Sequence, residues 1–405
     1  MDSDVIILGG GLVGLTLAIA LDAHGVTSIV IDPADPQAAL TAGFDGRASA
    51  VASAPWRMLE TIGVGARLAG QGCPIAAIQV SDGLKPGGLL FDPDPQDGAV
   101  GVMFENRLLR IALREAALAA PGVTLLAPAT PAEVTRDASG VRVTLGDGRT
   151  VSARLLVGAE GRRSPTREAA GIKVARWSYD HAAIIGSVTH ARPHQGIAYE
   201  IFYPEGPFAI LPLTDDAEGR HRSAIVWTVK GKDAPAMLDL PDRAYAAEVE
   251  KKMGGRLGAI AAASPRSSYP LGFHHAARIT GERLALVGDA AHGIHPIAGQ
   301  GLNLGFRDVA ALVEVLVEGA RLGLDFGDAQ LLARYERWRA LDTFMVAAST
   351  DGLTRLFGLP GRTASAARRF GLGAVQRIAP LKRRFMAEAR GETGALPRLL
   401  QGLKA

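Results

Sequence analysis

The chain opens on an apolar run, Val5-Ile-Ile-Leu8, closed by three glycines, and a second apolar stretch continues from Leu12 to Leu21. Four apolar residues suit a buried strand, the glycines a tight turn, and the longer stretch a buried helix. Ile29-Val-Ile31 follows and ends in Asp32, so a βαβ unit is predicted over residues 3–33. Next come a helix near Pro55–Leu68, strand and turn over Ile75–Phe91, and an Ala-rich helix from Glu105-Asn-Arg107 to Pro121-Gly122. Strands are predicted at Ala132–Thr135, Val141–Leu145 and Ala153–Val157, with turns at Asp137–Gly140 and Gly146–Gly148. Alternation of apolar and polar positions dominates from Ile172 to Tyr269, including Ala183–Val188, Ala198–Phe202, Phe208–Leu213 and Ala224–Thr228. Leu284–Val287 reads as one more strand, a helical pattern resumes at Leu302, and residues 328–405 are helical with breaks at Pro360 and Pro380.

This order predicts an α/β fold: a Rossmann-like domain, an inserted β-rich domain and a C-terminal helical segment. The first domain is discontinuous, over 1–72, 99–171 and 276–327; the β-rich domain takes 73–98 and 172–275, and the helices take 328–405.

Composition narrows the class. Of 405 residues 48% are hydrophobic and 21% charged, as in a water-exposed protein of two or more domains. The single cysteine, Cys73, excludes an internal disulfide and a Cys-based metal site, and a reducing cytoplasm is the expected compartment. Val5–Leu21 carries no charge, but its glycines and the flanking Asp2 and Asp4 argue for a buried strand and helix rather than a targeting segment. Net charge is +3, unevenly spread: residues 346–405 hold 11 Lys/Arg against 3 Asp/Glu, the remainder 33 against 38. No aromatic interleaving or nucleic-acid motif accompanies the basic tail, so an anionic membrane surface is the expected partner and nucleic acid is not.

Gly9, Gly11 and Gly14 form a G-x-G-x-x-G turn between strand and helix, and Asp32 ends the second strand 18 residues after Gly14. The glycines allow a tight turn, close approach of a pyrophosphate and close helix packing, and the acid stands where a ribose hydroxyl is bound. A second loop of the same kind is Gly288-Asp-Ala-Ala-His-Gly-Ile-His-Pro-Ile-Ala-Gly-Gln-Gly-Leu-Asn-Leu-Gly-Phe-Arg-Asp308. With one fingerprint and two loops, one large dinucleotide gripped twice is the expected ligand. Asp289 would hold its ribityl chain, and the helix opening at Ala298–Gly301 would aim backbone N–H groups at a flavin ring. Pro296 stiffens that loop. His292 and His295 lack a convincing third metal ligand and are expected to order the loop through backbone hydrogen bonds; His274-His275 is expected at a surface or strand end. Ser164 is read as a turn residue.

The Gly288–Asp308 run resembles the Gly-Asp motif of single-component flavin aromatic hydroxylases, in particular their ubiquinone-biosynthesis branch. Asp45–Ser49, Glu105–Arg110, Ala198–Pro207 with Leu211-Pro-Leu213, and Ala379–Arg384 are similar to that branch too, so the resemblance spans nearly the whole chain. It implies FAD, O2 as co-substrate, and NADH, NADPH or a protein as electron donor. The implied substrate is a polyprenylated phenol or quinol, hydroxylated through a flavin C4a-hydroperoxide. Carried over by position, Arg47 and Pro296 stand beside the reacting flavin, and Arg107, Val134, Glu160, Gly161, Gly288, Asp289, Gly299, Gly301 and Asn303 join Gly9, Gly11, Gly14, Asp32 and Arg47 around FAD. Tyr203, Phe202 and Pro212 are expected to line the substrate pocket. One departure stands out: the strand after which the family carries Asp-Gly here ends in Glu160-Gly161.

The tail interleaves Phe370, Ala374, Ile378, Leu381 and Phe385 with Arg368, Arg369, Arg377, Lys382, Arg383 and Arg384. Such a segment can rest peripherally on the inner face of an anionic membrane, where the substrate's tail resides and other ubiquinone-biosynthesis proteins gather. Two rival readings use the same scaffold: a flavin-dependent reductase of an isoprenoid substrate, and a flavin-bearing scaffold subunit of a biosynthetic complex.

Overall fold

A computed structural model describes residues 2–37, 43–86, 88–293, 300–340 and 362–405. The first unit runs β1 (Val5–Leu8), α1 (Leu12–Asp22) and β2 (Ser28–Ile31). It continues through β3 (Ala48–Ala52), α2 (Ser53–Thr61), α3 (Gly65–Leu68), β4 (Cys73–Ile75), β5 (Ala77–Asp82), β6 (Leu89–Phe91) and β7 (Gly101–Glu105). Then follow α4 (Asn106–Ala119), β8 (Val123–Leu126), β9 (Pro131–Asp137), β10 (Gly140–Leu145), β11 (Thr150–Ala153), β12 (Leu155–Gly158) and α5 (Pro165–Ala169). The β-rich part holds β13 (Val174–His190), β14 (Ile197–Tyr203), β15 (Gly206–Leu213), β16 (His221–Lys230), α6 (Ala234–Asp239), α7 (Asp242–Met253), β17 (Ile260–Ala262) and β18 (Ser267–Ala276). The chain closes with β19 (Thr280–Gly281), β20 (Leu284–Leu286), β21 (His292–Gly293), α8 (Gln300–Arg321), a helical run over 329–340, α9 (Arg362–Arg377) and α10 (Ala379–Ala389).

One sheet has the order β19-β20-β12-β1-β2-β8, with β20, β12, β1, β2 and β8 mutually parallel. Parallel strands need both faces covered, which is why β1, β2, β12 and β20 are buried at every residue. α1 is buried along Gly14–Leu21; each of its large apolar side chains contributes about 1.5–3 kcal/mol. The helix predicted over 55–68 is instead two, because Gly63 turns at φ +83°. Likewise the strand predicted over 153–157 divides at Arg154, where the chain leaves the small β9–β10–β11 sheet for the parallel one.

A second, nine-stranded sheet runs β21-β18-β13-β16-β15-β14-β5-β6, with β17 also on β13. Its strands alternate between two faces. On one, Ile184, Ile201, Phe208, Ile225 and Trp227 pack on Tyr245, Val249 and Met253 of α7. On the other, Ala198, Leu213 and Ala224 share a core with Ile75 and Met103 of the β3–β7–β4 sheet, against which Ala48 and Ala50 also lie. That second face therefore looks toward the β3–β7–β4 sheet, which the Asn106–Arg47 hydrogen bond ties to the nucleotide-type domain formed around the parallel sheet. Met386 of α10 joins the same core, and Leu372 of α9 packs on Val80 and Phe202.

Candidate active site

The two loops singled out in the sequence meet. β1 and β20 belong to one parallel sheet, so both loops leave its same edge. A Cβ on Gly288 (φ +59°) would lie 3.2 Å from the side chain of Val13, and one on Gly305 only 2.8 Å from it. A Cβ on Gly14 would overlap the Gly9 carbonyl oxygen, and one on Gly9 (φ +105°) would lie 2.5 Å from the Ala159 carbonyl oxygen. Gly9 and Gly14 are thus required by the protein's own packing. Gly11, the N-cap of α1, meets nothing within 4 Å and supplies no side-chain cap. The first N–H groups of α1 therefore point into open space, an arrangement suited to a phosphate. Gly301, in the first turn of α8, is equally open. Asp32 accepts from the Gly10 N–H at 2.5 Å and the Ala34 N–H at 2.7 Å, which holds its carboxylate at the rim of the glycine loop.

The Gly-Asp loop is anchored from beneath by a group that sequence reasoning missed. Asp308 of α8, fully buried, accepts from the Gly288 N–H at 2.9 Å, His292 Nε2 at 2.7 Å and Arg339 Nε at 2.6 Å. Burial alone would push its carboxyl up, but His292 and Arg339 beside it hold it below the usual range. His292 accordingly orders the loop through a carboxylate, not through the backbone bonds expected. His274, expected at a surface or strand end, lies near the end of β18, is buried and bonds the Asp289 carbonyl oxygen at 2.8 Å. Arg167, also fully buried, donates to the Ala290 carbonyl at 2.9 Å and the Arg162 carbonyl at 3.0 Å. The Asp289 side chain is exposed at the end of a buried strand. Only Asp308 had a sequence signal, as the last residue of the motif; its partner Arg339 lies 31 positions on.

A basic cluster flanks this region. The Asn106 N–H donates to the Arg47 carbonyl at 3.0 Å and Ser49 Oγ bonds Asn106 Oδ1 at 2.7 Å, so β3 and the start of α4 hold Arg47 and Arg107 together. Arg47 pairs with Asp45 at 2.5 Å and Arg107 with Glu105 at 3.4 Å. Glu105 also receives Arg222 of the large sheet at 3.0 Å. Burial and the like charge of Arg47 lower the Arg110 guanidinium. Arg107 Nε and Arg110 Nε are buried without a hydrogen-bond partner among the described residues. Unsatisfied buried donors, the uncapped N-terminus of α1 and two paired glycine loops make a donor set that fits an anionic dinucleotide such as FAD.

Comparison with known proteins agrees. A family model described as "FAD binding domain" matches residues 2–345. The chain is 49% identical to ubiquinone hydroxylase UbiL of Rhodospirillum rubrum, over 99% of this chain and 93% of that protein. It is 33% identical to 3-demethoxyubiquinol 3-hydroxylase of Escherichia coli, over 96% and 98%. The chain belongs to this family of FAD-dependent monooxygenases, in its ubiquinone-biosynthesis branch. Among solved structures, p-nitrophenol 4-monooxygenase of Pseudomonas putida superposes with a TM-score of 0.77 over 97% of this chain and 99% of that one, at 18% identity, which establishes likeness of fold. Hydroxylase-named relatives favour the monooxygenase over the reductase and scaffold readings.

Other predicted residues of the enzyme take more varied places. Glu160 turns back on its own segment: it accepts from Ser164 Oγ at 2.5 Å, the Thr166 N–H at 3.2 Å and Thr166 Oγ1, and so caps α5. Its extra methylene gives it that reach. Ser164 also caps α5, through the Arg167 N–H at 3.1 Å. Gly161 (φ +80°) is open around its Cβ position. Asn303 is buried with both amide ends bound to β3, donating to the Ala50 carbonyl and accepting from the Ala52 N–H, each at 2.9 Å. Its side chain ties α8 to β3. Val134 is 37% exposed on β9. Pro296, Gly299 and His295 lie outside the described residues.

The three expected pocket residues divide between faces. Phe202 lies on the face toward the nucleotide-type domain. Tyr203 lies opposite, packed beside α7, with its hydroxyl donating to the Lys252 carbonyl at 2.5 Å and Lys252 Nζ 3.9 Å above its ring. Pro212 is buried and pairs with Ser223; alternation puts it on the side of Phe208 and Ile210. Tyr203 and Pro212 thus lie on the opposite face of the sheet from Phe202, because side chains along a strand alternate between faces. In the tail, Arg368 is not solvated: it is buried and pairs with Asp82 at 3.0 Å, while Lys382 pairs with Asp92 at 2.5 Å.

Proposed function

We propose that this enzyme hydroxylates the aromatic ring of a polyprenylated phenol or quinol on the route to ubiquinone, with O2 as co-substrate and NADH, NADPH or a protein as electron donor. The observation that carries the reading is the meeting of the two glycine loops at one end of the parallel sheet. FAD, when bound, supplies the chemistry of oxygen activation and transfer. Gly11 and the α1 N-terminus receive the pyrophosphate, with Arg47 and Arg107 adding positive charge, and Asp32 receives the ribose. Asp289 bonds the polyol chain, and the N-terminus of α8 near Gly301 stabilises negative charge on the ring system. The apolar sheet face around Phe202 excludes water and orients the phenol. Pro296, Gly299, Val134 and Gly161 complete the proposed cofactor surround.

Access to the substrate is proposed through α9 and α10. Ile378 and Phe385 are exposed there beside exposed Arg377, Arg383 and Arg384. Among the described residues no helix is long and apolar enough to cross a membrane. The reading is therefore peripheral contact with the anionic inner face of a membrane.

The decisive test is turnover of a farnesylated phenol by the FAD-loaded enzyme under labelled O2. One labelled oxygen atom in the product supports the proposal. Reduction of the substrate without oxygen uptake overturns it.

A further inference from the structure

Strand β14 sends Ala198, Glu200 and Phe202 to the face that looks toward the nucleotide-type domain. Glu200 stands opposite Ala209 on β15 and Val80 on β5, and the same row continues through Val226 and Ile185. It is the only ionisable group in that row. Only 8% of its surface is accessible, and it makes no hydrogen bond or ion pair among the described residues. The charges nearest in register are already paired: Asp82 of β5 with Arg368 of α9, and Arg222 of β16 with Glu105. A carboxyl buried without a partner destabilises the fold, so its presence in an otherwise apolar row calls for a ligand that completes it.

We propose that Glu200 is a catalytic residue, taking the proton of the substrate's ring hydroxyl. In this step the phenol O–H bond breaks, the proton passes to a Glu200 carboxylate oxygen, and the electron pair stays on the ring oxygen. The resulting phenolate is the more nucleophilic ring toward electrophilic oxygen; the proton afterwards leaves to solvent. Burial raises the carboxyl to about 7, which matches a base working near neutral pH. The inference rests on the hydroxylase reading given above.

The test compares pH profiles of kcat and kcat/KM for FAD-loaded wild type, Glu200→Gln and Glu200→Asp on a farnesylated phenol, with flavin content and thermal stability measured alongside. A rate that rises through pH ~7 in the wild type is expected. Glu200→Gln should lose that limb and about 10²–10³-fold in kcat with KM little changed, and Glu200→Asp should recover part of the rate. A Glu200 of merely structural role would alter stability and leave the pH profile in place, which overturns the proposal. So does a wild-type profile flat near neutrality, should Glu200→Gln fail to load FAD. Absence of ring hydroxylation in the wild type overturns the hydroxylase reading and this inference together, whereas normal turnover with an unchanged Glu200→Gln profile overturns this inference alone.

Discussion

Within the glycine loop, one residue serves binding and another serves folding. Gly14 has no room for a Cβ, whereas Gly11 opens onto free space. Gly11→Val should therefore fold with a far-ultraviolet spectrum like the wild type yet lose bound FAD. Gly14→Val should lose stability itself, by several kcal/mol, as overpacking against backbone does. Equal flavin content in Gly11→Val and wild type would remove Gly11 from the cofactor site. Glu200 makes a thermodynamic prediction separate from its chemistry. Its folded pKa, about 7, exceeds the ordinary 4.5, so the folded state binds the extra proton. The stability this contributes is complete below pH ~4.5 and is lost as pH rises through ~7. Glu200→Gln should accordingly match the wild type in acid and exceed it above neutrality, by about 3 kcal/mol. Denaturant titration at several pH values measures this, and a gap independent of pH would contradict the burial argument.

Between elements, the most consequential contact is that of α8 with the Gly-Asp loop. Asp308 gathers a backbone N–H, an imidazole and a guanidinium with no water access. Removing its charge takes the carboxylate away from His292 and Arg339, and breaking such a buried pair costs about 3–5 kcal/mol. Asp308→Asn should lower the thermal midpoint and the affinity for FAD together, because the loop it anchors carries Asp289. An unchanged midpoint would show that the triad contributes little. The sequence pattern did not announce the break at Gly63, which splits one expected helix, or at Arg154, which splits one expected strand. Neither residue interrupts the local apolar pattern; the breaks follow from which sheet the next segment joins.

For the whole molecule, the C-terminal helices join the large sheet to the outside. α9 and α10 are held by Arg368–Asp82 and Lys382–Asp92, leaving Arg377, Arg383 and Arg384 with Ile378 and Phe385 outward. Co-sedimentation with vesicles rich in phosphatidylserine should be strong at low salt and weaken as salt rises. Arg383→Glu with Arg384→Glu should lower that binding by at least ~10-fold, since each basic residue contributes on the order of 1 kcal/mol near an anionic surface. Equal binding to neutral vesicles would contradict the electrostatic part of this reading. Much of this architecture is legible in the chain alone. The βαβ opening, the acid at Asp32 and the second loop at Gly288-Asp289 follow from local spacing, because backbone turns and helix starts are governed by near neighbours, and the family from the resemblance of motifs spread along the chain. Other features required the folded chain. Tyr203 and Phe202 share a segment but not a face, Asn303 is occupied by β3, Glu160 caps its own helix, and Arg339 reaches Asp308 across the fold. Each depends on which residues distant in sequence are brought within a few ångströms, and buried polar groups are decided by those partners rather than by any pattern along the chain.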